Sequence, residues 1–413
     1  MNAMNQKTDK ASFPIFSLPR VVLTVLGLIV GNCSFASEPY LPTSEDAVVA
    51  KLKPAVVAMS ERIHNVDKNP MHSTWSEGER IDFVRNLLAA YNLATQQGSA
   101  RAYGYTLALA NRWPTDLEPP PLLRLIRASL LQRNHDFTAA QAELKLILNT
   151  DPENQQALMS LAQIGLVTGD YENVQSYCDR LAQLPKLLSA MNCQAQLNAL
   201  TGKASLALQS VESALALHSL SVADARELHI TAATIAHRVG DNDKAERHYQ
   251  QSLLLGGASN FLVLNYAQWL LEMSRPQEVL GLLAGPIKQE DQYEMKVLYL
   301  NALTELGETE LAHSFRANLA EEIERLSRRG DDMPLKVIAR YALTVEEDAQ
   351  RALIAARANW AYQKEPSDTL LLCEAAVAAG DEETLAALIN WRDETGLEDV
   401  RLNRLLAKAG NTP

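Results

Sequence analysis

Apolar residues recur every three or four positions through most of this chain, in segments separated by short polar turns. In one such segment Ile81, Val84, Leu87, Leu88 and Tyr91 fall on the same face of a helix. A period close to 3.6 residues is typical of amphipathic α-helices that bury one face. The pattern therefore predicts an all-α chain.

The predicted helices repeat as pairs between Leu122 and Ala409. Each pair is an apolar helix, a short turn with Gly or Asp, a second apolar helix, and a break with Pro or Gly. The turns within pairs are predicted at residues 134–137, 168–171, 201–203, 239–241, 274–276, 306–308 and 379–381. Gly169 and Gly202 are 33 residues apart, and Gly202 and Gly240 are 38 apart. A period of about 34 residues indicates an array of helix pairs rather than one globular core.

The second helices of the pairs have a small residue at matching positions. Ala140, Val174 and Ala245 take this position, and Tyr249 follows one turn later as a bulky residue. A small residue lets the two helices of a pair approach closely, and a bulky one fills the gap to the next pair.

The Gly-Asp turns, the small residues and the period resemble the tetratricopeptide repeat (TPR) family, and more loosely exported bacterial TPR proteins. The resemblance is specific from Leu122 to Gly285 and weaker from Gly307 to Leu406, and most repeats lack the Trp/Leu-Gly signature of the first helix. It implies a right-handed α-solenoid of antiparallel helix pairs, whose concave face is made by the first helix of each pair.

The chain divides into four predicted regions. They are a signal peptide at 1–36, an N-terminal cap with an atypical helix pair at 37–121, TPR-like repeats at 122–330, and irregular C-terminal helical repeats with a cap at 331–413. The proline-rich stretch at 118–121 is interpreted as the turn before the next helix, with a stiff spacer as the alternative.

The N-terminal segment has the organisation of an export signal. Three basic residues precede the apolar run Val21–Val30, which is too short to span a bilayer by itself. Ser34 and Ala36 are small residues suited to cleavage after Ala36. We expect a periplasmic protein with no stable membrane insertion after cleavage. The alternatives are an uncleaved membrane anchor and a lipid attached to Cys33.

Composition and charge narrow the function classes. The formal net charge is -12, which argues against a nucleic-acid partner because phosphate neutralisation needs clustered Lys and Arg. Aromatic residues make up only 6% of the chain, which disfavours a β-sandwich or barrel.

The sequence predicts no active site. It has no phosphate-binding loop, no nucleophile elbow and no His-Glu-x-x-His zinc motif. Two histidine groups were possible metal ligands: His229, His237 and His248, and His64 with Asp67 and His72. Their spacing is interpreted as that of surface histidines. We therefore expect no catalytic residue, no cofactor and no metal, and a protein that is not an enzyme.

A disulfide is predicted between Cys178 and Cys193. Cys178 lies seven residues before Pro185 and Cys193 eight residues after it. If Pro185 marks a turn between antiparallel helices, the two thiols lie at the same height on facing helices. The alternative is a pair of buried free thiols. Cys373 is left over and is expected to be buried.

A partner is expected on the concave face. The first-helix positions that do not pack inside a pair include Gln156, Met159, Gln163, Glu227, Ile230, Thr234, Leu264 and Gln268. Glu227 is the only charge among them, so we expect binding that depends weakly on salt. The alternative is a contact surface on a cap or on the convex side.

Two function classes follow. The favoured one is an exported, non-catalytic TPR scaffold that binds a protein or peptide in the cell envelope. The alternative is a permanent accessory subunit of an envelope assembly or secretion complex.

Overall fold

The computed structural model describes residues 75–97, 100–185, 187–217, 220–289, 291–328 and 334–410. These residues form nineteen α-helices and no strand, which confirms the all-α solenoid. None of the described helices is both long and apolar enough to cross a bilayer. The predicted signal peptide lies outside the described residues.

The helices are numbered α1 to α19 in chain order. Their bounds are α1 Glu77–Gln97, α2 Ala100–Ala110, α3 Pro121–Arg133, α4 Phe137–Thr150, α5 Gln155–Thr168, α6 Tyr171–Ala182, α7 Leu187–Leu200, α8 Ala204–Leu215, α9 Val222–Val239, α10 Asn242–Leu254, α11 Asn260–Glu272, α12 Pro276–Leu283, α13 Tyr293–Glu305, α14 Thr309–Arg328, α15 Leu335–Tyr341, α16 Ala349–Trp360, α17 Pro366–Ala379, α18 Glu382–Thr395 and α19 Val400–Gly410.

Consecutive helices form nine pairs, from α1/α2 to α17/α18, and α19 follows the ninth pair. From the second to the sixth pair, the first helices begin at Pro121, Gln155, Leu187, Val222 and Asn260, which are 32 to 38 residues apart. The turns predicted within pairs lie between the two helices of a pair in every case. The repeat is therefore a property of the fold as well as of the sequence.

The turns within pairs follow from local chemistry. Gly169 and Gly240 end their helices in the left-handed conformation, with φ of 82° at both. Asp136, Asp241 and Asp348 precede second helices, and each carboxylate accepts a backbone N–H three residues later. A Gly at the helix end and an Asp at the next N-cap satisfy otherwise unpaired backbone groups. The two devices operate together at Gly240 and Asp241, whereas Asp170 and Asp381 make no such side-chain bond.

Small residues set the distance between the helices of a pair. Ala140, Val174 and Ala245 are completely buried, as their predicted position requires. Val174 of α6 packs against Gly165 of α5, where an added Cβ would lie 2.5 Å from Val174 Cγ2. Only glycine fits at that point, so the sequence itself fixes the close approach of α5 and α6.

The eighth pair departs from the pattern. Helix α15 has only seven residues and continues as a π-helical turn at Ala342–Glu346. Glu347 then takes the left-handed conformation, with φ of 58°, where the third, fourth, fifth, seventh and ninth pairs have glycine. The irregularity of the C-terminal repeats therefore reflects a real change of helix geometry.

One turn of the superhelix takes about six helix pairs, after which the chain contacts an earlier pair. The backbone N–H of Ala100, at the start of α2, donates to Asp291 Oδ2 at 2.8 Å, and Asp291 precedes the seventh pair. The N–H of Lys364, before the ninth pair, donates to the Val167 carbonyl in the third pair at 2.7 Å. Both contacts join residues nearly 200 positions apart. Successive turns of the superhelix are therefore in direct contact.

The same offset recurs at the fourth pair. The N–H of Ala204, at the start of α8, donates to Glu398 Oε2 at 2.8 Å, across 194 residues. Next to it, a Cβ built on Gly202 would lie 3.3 Å from the Gly396 carbonyl oxygen. The segment before α19 thus packs on the loop between α7 and α8, which belongs to the first superhelical turn. This closes the concave face along much of its length.

Candidate functional site

Closure of the superhelix leaves a partly enclosed cavity, which we call the lumen. Its volume is about 220 Å³. One wall comes from the first helices of five pairs, α5, α7, α9, α11 and α13. The other wall comes from α15, α17 and α19 of the next superhelical turn. The lumen is what remains of the concave groove.

Six of the eight residues predicted to bind a partner line the lumen. They are Gln163, Glu227, Ile230, Thr234, Leu264 and Gln268. Gln156 and Met159 are not part of its lining, and Met159 lies on the surface with 39% exposure. Ile230 is 5% exposed and belongs to the core between pairs. Whether these residues contact a partner stays a prediction.

The prediction of a nearly uncharged groove is wrong. Besides Glu227, the charged residues of the lining are Arg238, Glu294, Lys336, Arg340, Glu365 and Arg401. Most of these charges belong to the second superhelical turn, which the alignment of repeats by their turns could not place opposite α9. The expected weak dependence of binding on salt therefore loses its basis, because screened charges now face the binding space.

A cluster of ionisable groups lies at the α15–α17 side. Lys336 Nζ donates to Ser367 Oγ at 2.8 Å and lies 3.3 Å from Asp368 Oδ1 and 3.7 Å from Glu294 Oε1. Burial would lower the pKa of Lys336, but these carboxylates raise it above its ordinary value. Burial, and then the charge of Asp368, raise the pKa of Glu365. Lys336 is thus a protonated structural cation and is unsuited to act as a nucleophile.

A second network joins α9 and α11 to the first turn of α19. His237 Nε2 lies 2.7 Å from Glu272 Oε2, and Arg401 Nη1 donates to Glu272 Oε1 at 3.2 Å. Burial lowers the pKa of His237. Burial would raise the pKa of Glu272, but the hydrogen bond to His237 and the charge of Arg401 lower it to about 2. The sequence predicted a surface histidine here. That prediction is wrong, because His237 is only 5% exposed.

The other two histidines of that group face each other. His229 Nδ1 and His248 Nδ1 are 2.8 Å apart, and His248 is also buried. Burial lowers the pKa of both, to about 4 for His229. Over the residues the structure describes, no three His, Cys, Asp or Glu side chains are placed to hold a metal. His64, Asp67 and His72 lie outside the described residues.

Cys178 of α6 and Cys193 of α7 form a disulfide, with a Cα–Cα distance of 5.6 Å. Pro185 lies in the turn between the two helices, so the thiols meet at the same height on facing helices. Cys373 is free and buried in α17, and burial raises the pKa of its thiol to about 12.

The architecture identifies the kind of protein. Helix pairs repeat at about 34 residues, Gly-Asp turns join their helices, and fully buried small residues set their approach. The chain is a TPR-like solenoid. Its sequence matches no protein-family model, and no curated protein matches it.

Several solved structures are similar to this TPR-like chain. Human IFIT1, solved as a dimer with m7Gppp-AAAA, is 14% identical, with 87% of this chain and 95% of IFIT1 covered and a TM-score of 0.43. A TPR protein from Parabacteroides merdae is 15% identical, with 71% and 99% covered and a TM-score of 0.31. The TPR domain of P58(IPK) is 15% identical, with 80% and 94% covered and a TM-score of 0.21. At this level of similarity none of them carries an argument about what the chain binds.

Proposed function

We propose that this protein is a non-catalytic scaffold that binds a protein or peptide in the cell envelope. The observation that carries the proposal is the lumen, onto which the first helices of five successive pairs converge. Convergence of equivalent helices on one space is how helical-repeat proteins build a binding surface.

The size of the lumen limits what can enter it. An α-helix with its side chains is about 10–12 Å across, and ligand pockets are usually about 300–1,000 Å³. A lumen of about 220 Å³ is smaller than either requires. The partner therefore presents an extended segment or a few side chains, while its folded part stays outside.

The proposed location rests on the predicted signal peptide. The disulfide between Cys178 and Cys193 supports it, because disulfides persist mainly in oxidising compartments such as the periplasm. An uncleaved N-terminal anchor is the alternative, and would hold the same solenoid at the membrane surface.

A permanent accessory subunit of an envelope complex is the second candidate. The contacts between superhelical turns favour it, because they hold successive turns together in one arrangement that could dock without rearrangement. A free scaffold is released by osmotic shock, whereas a fixed subunit sediments with the membranes and co-purifies at constant ratio.

The proposal is tested by filling the lumen. Gln163 and Gln268 are half-buried lumen residues, and replacing both with Trp fills the space. Met159→Trp, at an exposed position outside the lumen, is the matched control. The proposal is supported if wild type and M159W capture a partner from envelope extract and a folded Q163W/Q268W variant does not. Equal capture by all three proteins would overturn the lumen as the binding site.

A further inference from the structure

The cations that line the lumen fall into two classes. Lys336 and Arg401 each have a close carboxylate, Asp368 Oδ1 at 3.3 Å and Asp399 Oδ2 at 2.7 Å. Arg340 is also paired with a carboxylate on a neighbouring helix. The charges of these three side chains are balanced within the protein, so they give no reason to expect a ligand.

Arg238 is the exception. It lies in the last turn of α9, lines the lumen and is only 7% exposed. Among the residues that the structure describes, its buried Nε has no hydrogen-bond acceptor. Buried charged groups are normally paired, since desolvation without a partner is costly.

The carboxylate that acts most strongly on Arg238 forms no ion pair with it. Asp399 attracts the Arg238 charge, but Arg401 already holds both of its oxygens, from Nη2 at 2.7 Å and from Nε at 3.0 Å. The C-terminal end of α9 favours a cation there, yet a helix dipole supplies no acceptor for the guanidinium N–H groups. The guanidinium also cannot shed its charge by losing a proton.

A second buried donor near Arg238 is unsatisfied as well. The Tyr171 hydroxyl has no hydrogen-bond partner in the described part of the chain. Burial raises the pKa of Tyr171 to about 12, and the charge of Arg238 acts to lower it. Tyr171 therefore remains a protonated donor within electrostatic reach of the guanidinium. Only Arg238 of the two lines the lumen, so it is the group to which a ligand there could supply an acceptor.

We propose that Arg238 is an anion-binding residue, and that the lumen takes a small ligand carrying an oxyanion, either a carboxylate or a phosphate. A planar guanidinium matches both groups through two parallel hydrogen bonds. An engineered cavity of about 150 Å³ holds benzene, so 220 Å³ suits a ligand of roughly ten non-hydrogen atoms.

This inference goes beyond the proposed function and does not depend on it. If the lumen binds phosphate or acetate but no protein partner depends on it, the anion site stands and the scaffold proposal fails. If filling the lumen abolishes partner binding but Arg238 gives no response to anions, the scaffold proposal stands and the anion site fails.

The test measures the melting temperature of the chain lacking residues 1–36, titrated with inorganic phosphate or with acetate against sodium chloride of equal ionic strength. We expect one of the two oxyanions to raise the melting temperature more than chloride does. The responding anion shows whether the natural group is a phosphate or a carboxylate. Arg328→Met, which removes an exposed charge on α14, is the control and should respond as wild type does.

Arg238→Met decides the matter. Without added anion we expect it to melt above wild type, because a desolvated, unpaired charge has been removed. Its anion response should be lost, with affinity lower by at least about tenfold. An unchanged response, or no response of wild type to either anion, would overturn the proposal. If Arg238→Met does not fold, Arg238→Lys keeps the charge but loses the two-pronged geometry, and unchanged affinity in that variant would overturn it equally.

Discussion

Gly202 and Gly396 lie in backbone contact, although one belongs to the fourth helix pair and the other to the segment before α19. A Cβ built on Gly396 would lie 3.3 Å from Gly202 Cα, and both residues have positive φ, 76° and 73°. Glycine is favoured at both positions because of the positive φ, and because a Cβ on either would crowd the backbone of the other. The contact marks the point where the second superhelical turn closes over the first.

Gly202→Ala should lower the free energy of unfolding by about 2–3 kcal/mol. Alanine in the left-handed conformation costs about 1–2 kcal/mol, and crowding against the Gly396 backbone adds roughly 1 kcal/mol. Urea unfolding followed by circular dichroism measures the difference.

Gly380→Ala is the matched control for that experiment. Gly380 also ends a helix with positive φ, 67°, but nothing lies within 4 Å of its added Cβ. It should therefore show only the conformational cost, about 1–2 kcal/mol. Equal losses in the two variants would mean that the closing contact contributes nothing in solution.

The disulfide predicts a specific thiol count. The chain lacking residues 1–36 has three cysteines, so denaturation without reductant should expose one thiol, that of Cys373. Cys373→Ala should then show none. Replacing Cys178 and Cys193 with serine should destabilise the protein by about 3 kcal/mol, the chain-entropy value for a loop of this length. Three reactive thiols in the unreduced wild type would refute the bridge.

Glu365 should make the protein less stable as the pH rises. Burial and the charge of Asp368 raise its pKa above the ordinary 4.5, and Lys336 offsets this only in part. Above pH 4.5 the native carboxyl therefore binds its proton more tightly than the unfolded one, so native stability falls with increasing pH. Glu365→Gln lacks this penalty, and should equal wild type near pH 4 and exceed it by about 1–3 kcal/mol at pH 8.

The comparison needs unfolding curves at both pH values. Glu305→Gln, at an exposed position on α13, is the control and should show the same difference from wild type at both. A Glu365→Gln variant that loses the same stability at pH 4 and pH 8 would show that the carboxyl is not strained in the native state.

The predicted signal peptide gives an expected first residue for the mature chain. Protein expressed with its leader should start at Ser37, because Ser34 and Ala36 are suited to cleavage after Ala36. Intact mass or N-terminal sequencing decides this. A chain that starts at Met1, or one that carries a lipid on Cys33, would remove the free periplasmic form.

The sequence predicted what local chemistry determines. A Gly-Asp sequence between two apolar helices, such as Gly169-Asp170, predicts a turn from its local chemistry alone. A small residue such as Val174 is buried because the two helices of a pair must pass close to each other. The disulfide followed in the same way, from the position of Pro185 between Cys178 and Cys193.

Sequence reasoning missed what depends on the superhelix as a whole. The rotation from each pair to the next is small, and it adds up over several pairs before Lys336 of the eighth pair comes to line the lumen opposite α9. Arg238 was missed for a related reason. At the end of an amphipathic helix it looks like an ordinary exposed arginine, and only the turn that passes over it buries its charge.

A distance between spin labels at positions 205 and 393 tests the closed superhelix most directly. Ser205 and Asp393 are exposed residues of α8 and α18 that border the same surface pocket. Both are replaced with cysteine for labelling, in a Cys373→Ala background that leaves the disulfide intact. The structure predicts a single narrow distribution at the short end of the measurable range. A broad distribution at long distances would show an open solenoid in solution, and would contradict both the lumen and the functions assigned to it.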